Sequence, residues 1–346
     1  MRAVVFVAEG RVEVADVPEP VLDDPAGAIV RVSRAAICGT DLHVLHRKVP
    51  IEPGDVLGHE AVGIVEQVGP AVGRFAAGDR VVLSYVTACG SCWFCLRGET
   101  SLCQDSKVFG AGAFGGDLPG AQAEFVAVPA ADVNLFALPA AIDDDRGVFL
   151  GDVLPTGVAA AALAAPAPGE TTAVIGAGPV GYLTTRALLG AGAERVVVLD
   201  REPERLELAR RAGAEVIDIR ERDPEMALAS ITDDRGADVV IEAVGSTEAF
   251  SSALDVVRRG GRIIVAGVFA GEIAEMQLGV WWARALQVRF LGQCPAHAWW
   301  EAGRDAVLAG TIDPTPLISH RMPLDDAASG YDLFDRRVAT KVLLQP

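Results

Sequence analysis

The sequence predicts an α/β protein of two domains, a mainly β domain followed by a doubly wound parallel sheet with helices on both faces. The chain has 346 residues, of which 51% are apolar, so each of two domains can bury its own core. Up to roughly residue 150, short β-type runs are separated by Gly, Pro and Asp turns. From Thr171 onward, apolar strands alternate with helices, which is typical of a parallel sheet.

The first part of the chain is expected to form a barrel-like β unit. Turn residues bound each of its short apolar runs, which is the pattern of strands rather than helices. The predicted strands are Ala3–Val7, Ala28–Ser33, Gly63–Val68, Arg80–Leu83 and Glu124–Val128. No stretch there has long helical periodicity, so long helices are not expected in this region.

The second part of the chain predicts alternating strands and helices. Its predicted strands are Ala173–Ile175, Arg195–Leu199, Ala237–Ile241 and Arg262–Val265, and its predicted helices include Pro179–Leu189 and Pro203–Ala212. Short continuous apolar runs suit strands that are covered on both faces. Near the C-terminus, Lys341–Leu344 is expected to return as a strand to the first domain.

Charge and hydrophobicity disfavour several classes of partner. The chain has 30 Lys and Arg against 47 Asp and Glu, a formal net charge of −17, which repels nucleic-acid phosphates and anionic membranes. The first residues lack the long apolar core of a signal peptide, and prolines and glycines interrupt the uncharged stretch 153–169, which is too short to span a bilayer. We therefore expect a soluble cytoplasmic protein with no nucleic-acid or membrane partner. In that compartment clustered cysteines indicate metal binding rather than disulfides.

A group of four cysteines predicts a structural zinc site. Cys89, Cys92, Cys95 and Cys103 have the spacing C-x2-C-x2-C-x7-C. Zinc binds four thiolates in a tetrahedron, and such a set leaves no open coordination position. The metal would therefore hold the loop of residues 89–103 rather than catalyse. Two alternatives remain, a nucleic-acid zinc ribbon, which the acidic charge disfavours, and four thiols without a metal.

A second group of metal-type residues is a candidate catalytic site. Cys38 lies in Ile37-Cys38-Gly39-Thr40-Asp41-Leu42-His43, and His59 lies in Gly58-His59-Glu60. One thiolate and one imidazole leave positions for a third ligand and for water. Asp152 adds a carboxylate near the predicted domain boundary. Each residue also has a structural alternative, as a core cysteine, a turn histidine or a helix cap.

The segment after the strand Ala173–Ile175 predicts a dinucleotide site. Gly176-Ala177-Gly178-Pro179-Val180-Gly181 has the pattern G-x-G-x-x-G and opens a helix, whose N-terminal amides suit a pyrophosphate. Asp200 ends the next strand, where a carboxylate accepts from ribose hydroxyls and repels a 2′-phosphate. This favours NAD over NADP, although the neighbouring Arg201 can soften the preference. An ordinary glycine-rich turn is the alternative.

Together these residues resemble the zinc-dependent, medium-chain alcohol dehydrogenases, and the segment Asp152-Val153-Leu154-Pro155-Thr156-Gly157 resembles their formaldehyde-dehydrogenase-like branch. The segment Gly58-His59-Glu60-x2-Gly63-x5-Gly69-x2-Val72 matches the zinc motif of this family. The resemblance covers essentially the whole chain. It implies a GroES-like, β-barrel-type catalytic domain at residues 1–153 and 291–346 and a Rossmann NAD-binding domain at residues 154–290.

The resemblance also implies roles for individual residues. Cys38, His59 and Asp152 would hold a catalytic zinc, so that the chain binds two zinc ions, and Glu60 would lie close to that metal. Zinc would polarise the oxygen of an alcohol, while Thr40 and His43 relay its proton to solvent as hydride passes to the nicotinamide. Further cofactor contacts would come from Thr156, Arg205, Val244, Val268 and Lys341. Tyr85 would line the substrate pocket.

Several alternatives remain open within this resemblance. Many members of the family have Cys where this chain has Asp152, and a carboxylate ligand is also common in polyol and amino-alcohol dehydrogenases. A non-catalytic zinc- and NAD-binding protein is a further alternative. The family pairs its Rossmann domains edge to edge, here through the strand within Arg284–Leu291, so a homodimer or homotetramer is expected.

Overall fold

The computed structural model describes residues 1–270 and 276–346 and divides the chain into two compact units. The first unit comprises Met1–Pro155, Pro295–Leu308 and Asp313–Pro346, and the second comprises Thr156–Cys294 and Ala309–Ile312. The predicted boundaries at residues 153/154 and 290/291 lie within a few residues of these limits. Ala309–Ile312, predicted to lie in the first domain, belongs to the second unit, where the carbonyl of Thr311 accepts from the Arg186 guanidinium at 2.7 Å.

The secondary structure confirms the predicted strands and helices. The strands are β1 (Arg2–Ala8), β2 (Arg11–Asp16), β3 (Ala28–Ile37), β4 (Glu60–Val68), β5 (Arg80–Leu83), β6 (Phe125–Val128), β7 (Leu135–Ala137), β8 (Thr171–Ile175), β9 (Arg195–Asp200), β10 (Glu215–Asp218), β11 (Ala237–Glu242), β12 (Val257–Val265), β13 (Gln287–Phe290), β14 (His320–Pro323) and β15 (Val342–Gln345). The helices are α1 (Gly39–Leu45), α2 (Ala131–Asn134), α3 (Asp144–Gly147), α4 (Val153–Ala164), α5 (Pro179–Gly190), α6 (Pro203–Arg211), α7 (Pro224–Ala229), α8 (Thr247–Val256), α9 (Leu278–Ala283), α10 (Ala296–Leu308) and α11 (Ala327–Asp335).

The first unit is built mainly from antiparallel strands. Its larger sheet has the order β14-β15-β3-β4-β5-β7, with β6 also paired to β3, and β1 and β2 form a separate antiparallel pair. Strand β15 pairs with β3, which confirms that the C-terminal strand returns to this part of the fold. Alternate residues of the sheet, such as Val30, Val65 and Leu83, point into one buried cluster, as expected for a sheet that covers a core on one face.

The second unit contains one parallel sheet of the order β10-β9-β8-β11-β12-β13. The apolar residues of β8 and β9 alternate between two clusters: Ile175 and Val197 face one, and Val174 and Val198 face the other. A strand buried on both faces needs such a continuous apolar run. Strand β8 has β9 on one side and β11 on the other, so the strand order reverses there, and the carboxyl ends of these strands are where such sheets bind ligands.

Among the described residues, no single helix is long and apolar enough to cross a membrane. One bent pair of consecutive helical segments, Asp144–Gly151 with Val153–Ala164, meets the requirements of length and composition only when the two are taken together.

Candidate functional site

Cys38 lies where β3 ends and α1 begins, at the N-cap position of the helix. Its backbone N–H donates to Oδ2 of Asp41 at 3.0 Å, so the first turn of the helix fixes the position of the thiol. The Cys38 side chain is buried. Burial raises the pKa of the Cys38 thiol, and the field of Glu60 adds to the rise, because both disfavour the thiolate.

The imidazole of His59 is held by a buried carboxylate. Its Nδ1 lies 3.2 Å from Oδ1 of Asp41, and Oδ2 of Asp41 also accepts from the Gln122 amide at 3.1 Å. The Tyr331 hydroxyl donates to the carbonyl oxygen of Gln122 at 2.8 Å. All four side chains are buried. A carboxylate that pairs with one ring nitrogen of a histidine fixes the orientation of the ring and leaves the other nitrogen available to bind a metal.

The backbone before His59 requires a glycine. Gly58 has a φ of 94°, and a Cβ at this position would lie 2.3 Å from Cγ of Gln122, so no larger residue fits there. Burial alone would lower the pKa of the His59 imidazole, but the charges of Asp41 and Cys38 outweigh burial and raise that pKa well above its ordinary value. The surroundings of the ring therefore favour a positive charge, which a bound cation would supply.

Asp152 brings a third donor to Cys38 and His59. Its Oδ2 lies 3.4 Å from Nε2 of His59 and 3.8 Å from Sγ of Cys38. Ligands bound at about 2.0–2.3 Å in a tetrahedron are roughly 3.3–3.8 Å apart, so this spacing fits zinc. The Nε2 atom of His59 is buried and has no hydrogen-bond partner among the described residues, as expected of a nitrogen that faces a metal.

Glu60 follows His59 and forms a buried ion pair with Lys341. The ammonium of Lys341 contacts Oε2 of Glu60, and neither side chain is exposed to solvent. Burial raises the pKa of Glu60 to about 7, against the opposing charge of Lys341. The other oxygen of Glu60, Oε1, has no hydrogen-bond partner among the described residues. The ammonium of Lys341 is thus enclosed beside Glu60, and its predicted contact with the cofactor stays a prediction.

Three further predicted residues belong to the same unit. Thr40 and His43 lie three residues apart in α1, so their side chains share one face of the helix. Oγ1 of Thr40 lies 4.0 Å from Sγ of Cys38. The ring of Tyr85 stands edge-on to that of His59, with 6.4 Å between the ring centroids. The structure thus brings Thr40 and Tyr85 close to the group formed by Cys38, His59 and Asp152.

The four clustered cysteines converge as a second donor set. The sulfur atoms of Cys89 and Cys95 are 4.0 Å apart, and those of Cys92 and Cys95 are 3.5 Å apart. All four sulfurs, including that of Cys103, lie within 4.8 Å of one another, whereas ideal thiolate ligands of zinc are roughly 3.8 Å apart. Backbone donation from Ser91 lowers the pKa of Cys89 to about 6, while burial raises the pKa of Cys95 to about 12.

The glycine pattern after β8 has the geometry of a phosphate-binding turn. Gly176 has a φ of 95°, and a Cβ at Gly181 would lie 1.8 Å from the carbonyl oxygen of Gly176, so both positions require glycine. Among the described residues, a Cβ at Gly178 would have only Nη1 of Arg205 within 4 Å, which leaves open space beside the turn. Pro179 then opens α5 at its first position, where proline is favoured. A pyrophosphate fits this open side.

Asp200 ends β9 beside this turn. Its Oδ2 accepts from the backbone N–H of Ala177 at 2.6 Å, and its Oδ1 accepts from those of Arg201 and Glu202 at 2.7 and 2.9 Å. These three hydrogen bonds from backbone N–H groups fix the position of the Asp200 carboxylate. Oδ2 accepts only one of them, so it can accept a further hydrogen bond. The guanidinium of Arg201 lies 3.6 Å from Glu202.

Two apolar side chains at the carboxyl ends of the next strands are exposed. Val244 follows β11 and is 51% exposed, and Val268 follows β12 and is 50% exposed. Cγ2 of Val244 would contact a Cβ at Gly176 at 2.6 Å, so Val244 flanks the glycine turn. Exposed apolar side chains there suit a planar cofactor ring. Thr156, which belongs to the second unit, lies in α4 and is buried.

Comparisons with known proteins fit this arrangement. Residues 24–140 match the family model of the alcohol dehydrogenase GroES-like domain, and residues 179–299 match that of zinc-binding dehydrogenases. A solved alcohol dehydrogenase from Thermus sp. ATN1 is 42% identical, with a TM-score of 0.94 over 100% of this chain and 99% of that one. The chain belongs to the zinc-dependent alcohol dehydrogenases.

Two sequence relatives extend the likeness over the full length. An alcohol dehydrogenase of Cupriavidus necator is 32% identical over 100% of this chain and 99% of its own. The glutathione-independent formaldehyde dehydrogenase of Pseudomonas aeruginosa is 31% identical over 100% of this chain and 97% of its own. These matches confirm the predicted family, fold class and reaction, so this zinc-dependent alcohol dehydrogenase transfers hydride between an alcohol and a nicotinamide cofactor.

Sequence reasoning missed several residues that support the dehydrogenase site. Asp41 lies inside the predicted motif, and its place three residues after Cys38 was the available signal. Gln122 and Tyr331 had no such signal, because they reach Asp41 only through the folded chain. In the other unit, Oε1 of Glu242 accepts from the backbone N–H groups of Val244 and Gly245 at 2.7 and 2.8 Å and thereby holds the turn after β11.

Proposed function

We propose that this alcohol dehydrogenase binds two zinc ions, prefers NAD to NADP, and carries its catalytic zinc on Cys38, His59 and Asp152. The convergence of these three donors carries the proposal, together with the buried Nε2 of His59, which has no hydrogen-bond partner among the described residues. When bound, zinc would supply a Lewis acid that polarises the alcohol oxygen. The residues around it would then orient the substrate and move its proton.

The proton relay is proposed for Thr40 and His43. The hydroxyl of Thr40 is a donor and an acceptor, and it lies within 4.0 Å of the Cys38 sulfur. It can therefore take a proton from an alcohol bound beside Cys38. His43 follows on the same face of α1, and an imidazole suits the next transfer because it exchanges protons near neutral pH. Removal of this proton leaves the alcohol a better hydride donor.

Glu60 and Lys341 are proposed to set the charge around the catalytic zinc. The two anionic ligands, Cys38 and Asp152, balance the charge of a zinc ion, and Lys341 balances Glu60. A buried carboxylate beside a metal needs such compensation, because an unpaired buried charge is strongly unfavourable. Oε1 of Glu60 has no hydrogen-bond partner in the part of the chain that the structure describes, which supports a role as an acceptor close to the metal.

The second zinc is proposed for Cys89, Cys92, Cys95 and Cys103. Backbone N–H groups donate to two of the sulfurs: that of Cys89 to Cys103 at 3.2 Å, and that of Cys92 to Cys89 at 3.4 Å. Such donation favours thiolates, which are the form that binds zinc. A four-thiolate site has no open position, so this zinc would stabilise the loop.

The preference for NAD is proposed to rest on Asp200. Its carboxylate is fixed by three backbone amides and retains one acceptor position for a ribose hydroxyl. A 2′-phosphate at the same place would meet an anion, which disfavours NADP. Nη1 of Arg205 lies 3.7 Å from a Cβ built at Gly178, which supports a contact of Arg205 with a phosphate of the cofactor.

A homo-oligomer is proposed to form along the edge of the parallel sheet. Strand β13 is an edge strand, and it lies within the predicted segment Arg284–Leu291. Phe290 at its end is 57% exposed, Leu278 and Trp282 of α9 are 64% and 85% exposed, and none of the residues of α9 is buried. An edge strand with exposed apolar neighbours favours pairing with a second copy. The mass measured by light scattering would distinguish dimer from tetramer.

The test is NADH formation by zinc-replete protein with NAD and a panel of alcohols. The panel contains aliphatic and benzylic alcohols, polyols, amino alcohols, and formaldehyde with and without glutathione. Turnover of one class is expected and identifies the substrate. Turnover of polyols or amino alcohols alone would favour that alternative dehydrogenase class, which also fits a carboxylate ligand at position 152. If zinc and NAD bind but no alcohol is oxidised, the proposed catalytic roles are wrong.

A further inference from the structure

A second carboxylate lies one strand beyond Asp200. Strands β9 and β10 are parallel neighbours, and their register pairs Asp200 with Asp218. Residues paired in this way project from the same face of a sheet, with strands about 4.8 Å apart. The backbone N–H of Ile219 also donates to the carbonyl of Asp200 at 3.1 Å. Asp218 therefore lies beside the position that we propose for the adenosine ribose.

Asp218 holds the guanidinium of Arg220 in a two-point ion pair. Nε of Arg220 lies 3.0 Å from Oδ1 of Asp218, and Nη2 lies 2.6 Å from Oδ2. The backbone N–H of Arg220 donates to the same Oδ1 at 2.9 Å. This fork geometry is the one in which Arg binds a carboxylate or a phosphate, so the guanidinium has its preferred partner already.

Arg220 interacts electrostatically with the turn that follows Asp200. Asp218 raises the pKa of Arg220, and Glu202 contributes to the same rise. The backbone of Glu202 is itself bound to Asp200 at 2.9 Å. Arg220 follows Asp218 by two residues, and Asp218 is paired with Asp200, so the long side chain of Arg220 starts close to the proposed ribose position.

We propose that Asp218 is a specificity-determining residue for the cofactor. Because Asp218 holds Arg220 in an ion pair, this guanidinium is not available to bind the 2′-phosphate of NADP. This inference rests on the proposed binding of the adenosine ribose at Asp200. Discrimination then has two parts. Asp200 repels the phosphate directly, and Asp218 occupies Arg220, a cation that would otherwise compensate for part of that repulsion.

The test uses the variants Asp218→Asn, Asp218→Asn with Arg220→Gln, and Arg220→Gln alone. The readouts are the ratio of kcat/KM for NADP to that for NAD, and the Kd of adenosine 2′,5′-bisphosphate relative to 5′-AMP, measured by calorimetry. Asp218→Asn should raise the ratio about tenfold, which corresponds to about 1.4 kcal/mol. In the double variant, the added Arg220→Gln change should abolish this increase in the ratio. Arg220→Gln alone should lower the ratio, because it leaves Asp218 uncompensated.

Glu215→Gln is the matched control. Glu215 begins β10 and pairs with Arg195 at 3.1 Å, so this change removes the same charge from an ion pair at the other end of the strand. It should leave both ratios within about twofold of the wild type. Unchanged ratios in Asp218→Asn, or a rise in Arg220→Gln alone, would overturn the inference. Failure of the wild-type protein to bind 5′-AMP and NAD would overturn the proposed cofactor site instead.

Discussion

The ammonium of Lys341 contacts Oε2 of Glu60 in the interior of the first unit, and both side chains are fully buried. Glu60 starts β4, and Lys341 directly precedes β15. The ammonium also lies 5.8 Å from the centroid of the Phe149 ring, which is within the range of a cation–π contact. The pair thus joins the C-terminal strand to the segment that carries His59.

Replacement of Lys341 by Met should destabilise the first unit strongly. The change deprives Glu60 of its cation, so that Glu60 must be buried either as an unpaired carboxylate or in the protonated form, and breaking a buried pair costs up to about 3–5 kcal/mol. The double variant Glu60→Gln with Lys341→Met should recover part of that loss, because no charge is left without a partner. Thermal and urea unfolding of the single and double variants measure the coupling. Additive effects of the two changes would show that the pair contributes no specific interaction.

Strands and candidate site residues that are defined by a short segment of sequence could be predicted. The residues that contact them from distant parts of the chain could not. Periodicity and turn residues identified strands such as β8 and β9, since a buried strand must be apolar along its length. Strand β10 was missed because its four residues, Glu215–Asp218, include only two apolar ones. Local motifs identified Cys38 and His59 as candidate metal ligands.

The contacts that organise the proposed metal ligands depend on the folded chain. The Gln122 amide reaches Asp41 across 81 residues of sequence, and Lys341 reaches Glu60 across 281. A single sequence contains no periodic or spacing signal for such pairs. The resemblance to a family assigned Lys341 to the cofactor, but it did not indicate that a buried carboxylate encloses the ammonium.

Replacement of Cys38 by Ala should remove one zinc ion and abolish alcohol oxidation. The site would lose its sulfur ligand, and the remaining imidazole and carboxylate bind zinc more weakly. Zinc content measured by mass spectrometry should fall from two ions per chain to one, while circular dichroism stays unchanged. Cys294→Ala is the matched control, because Cys294 is also buried but lies outside both donor groups. Two bound zinc ions in Cys38→Ala would contradict the assignment.

Replacement of Cys92 by Ala should have a different effect. It should remove the other zinc and lower the unfolding temperature, because a structural metal stabilises the loop that it holds. Alcohol oxidation should persist at temperatures where the variant stays folded. Zinc content and calorimetry on the same sample test both points. Immediate loss of turnover in a folded protein that retains one zinc would contradict a purely structural role for this cluster.

His297 should make the stability of the first unit dependent on pH. Burial lowers the pKa of His297 to about 4, and its Nε2 lies 3.0 Å from Oδ1 of Asn134. The ordinary pKa of a histidine in an unfolded chain is about 6.5. As the pH falls below this value, His297 becomes protonated in the unfolded chain. In the folded protein it stays neutral until about pH 4. Acid therefore favours unfolding within this window, and below it the effect does not grow.

The variant His297→Gln should remove this contribution while retaining an amide that can donate to Asn134. Between pH 7 and pH 5, the wild-type protein should lose roughly 2 kcal/mol more of unfolding free energy than the variant does, because about 1.5 pH units separate the ordinary pKa of histidine from pH 5, at about 1.36 kcal/mol for each. Urea unfolding of both proteins at the two pH values gives this difference, and the titration of all other groups cancels in the comparison. An equal loss in the two proteins would mean that His297 is not held neutral by burial.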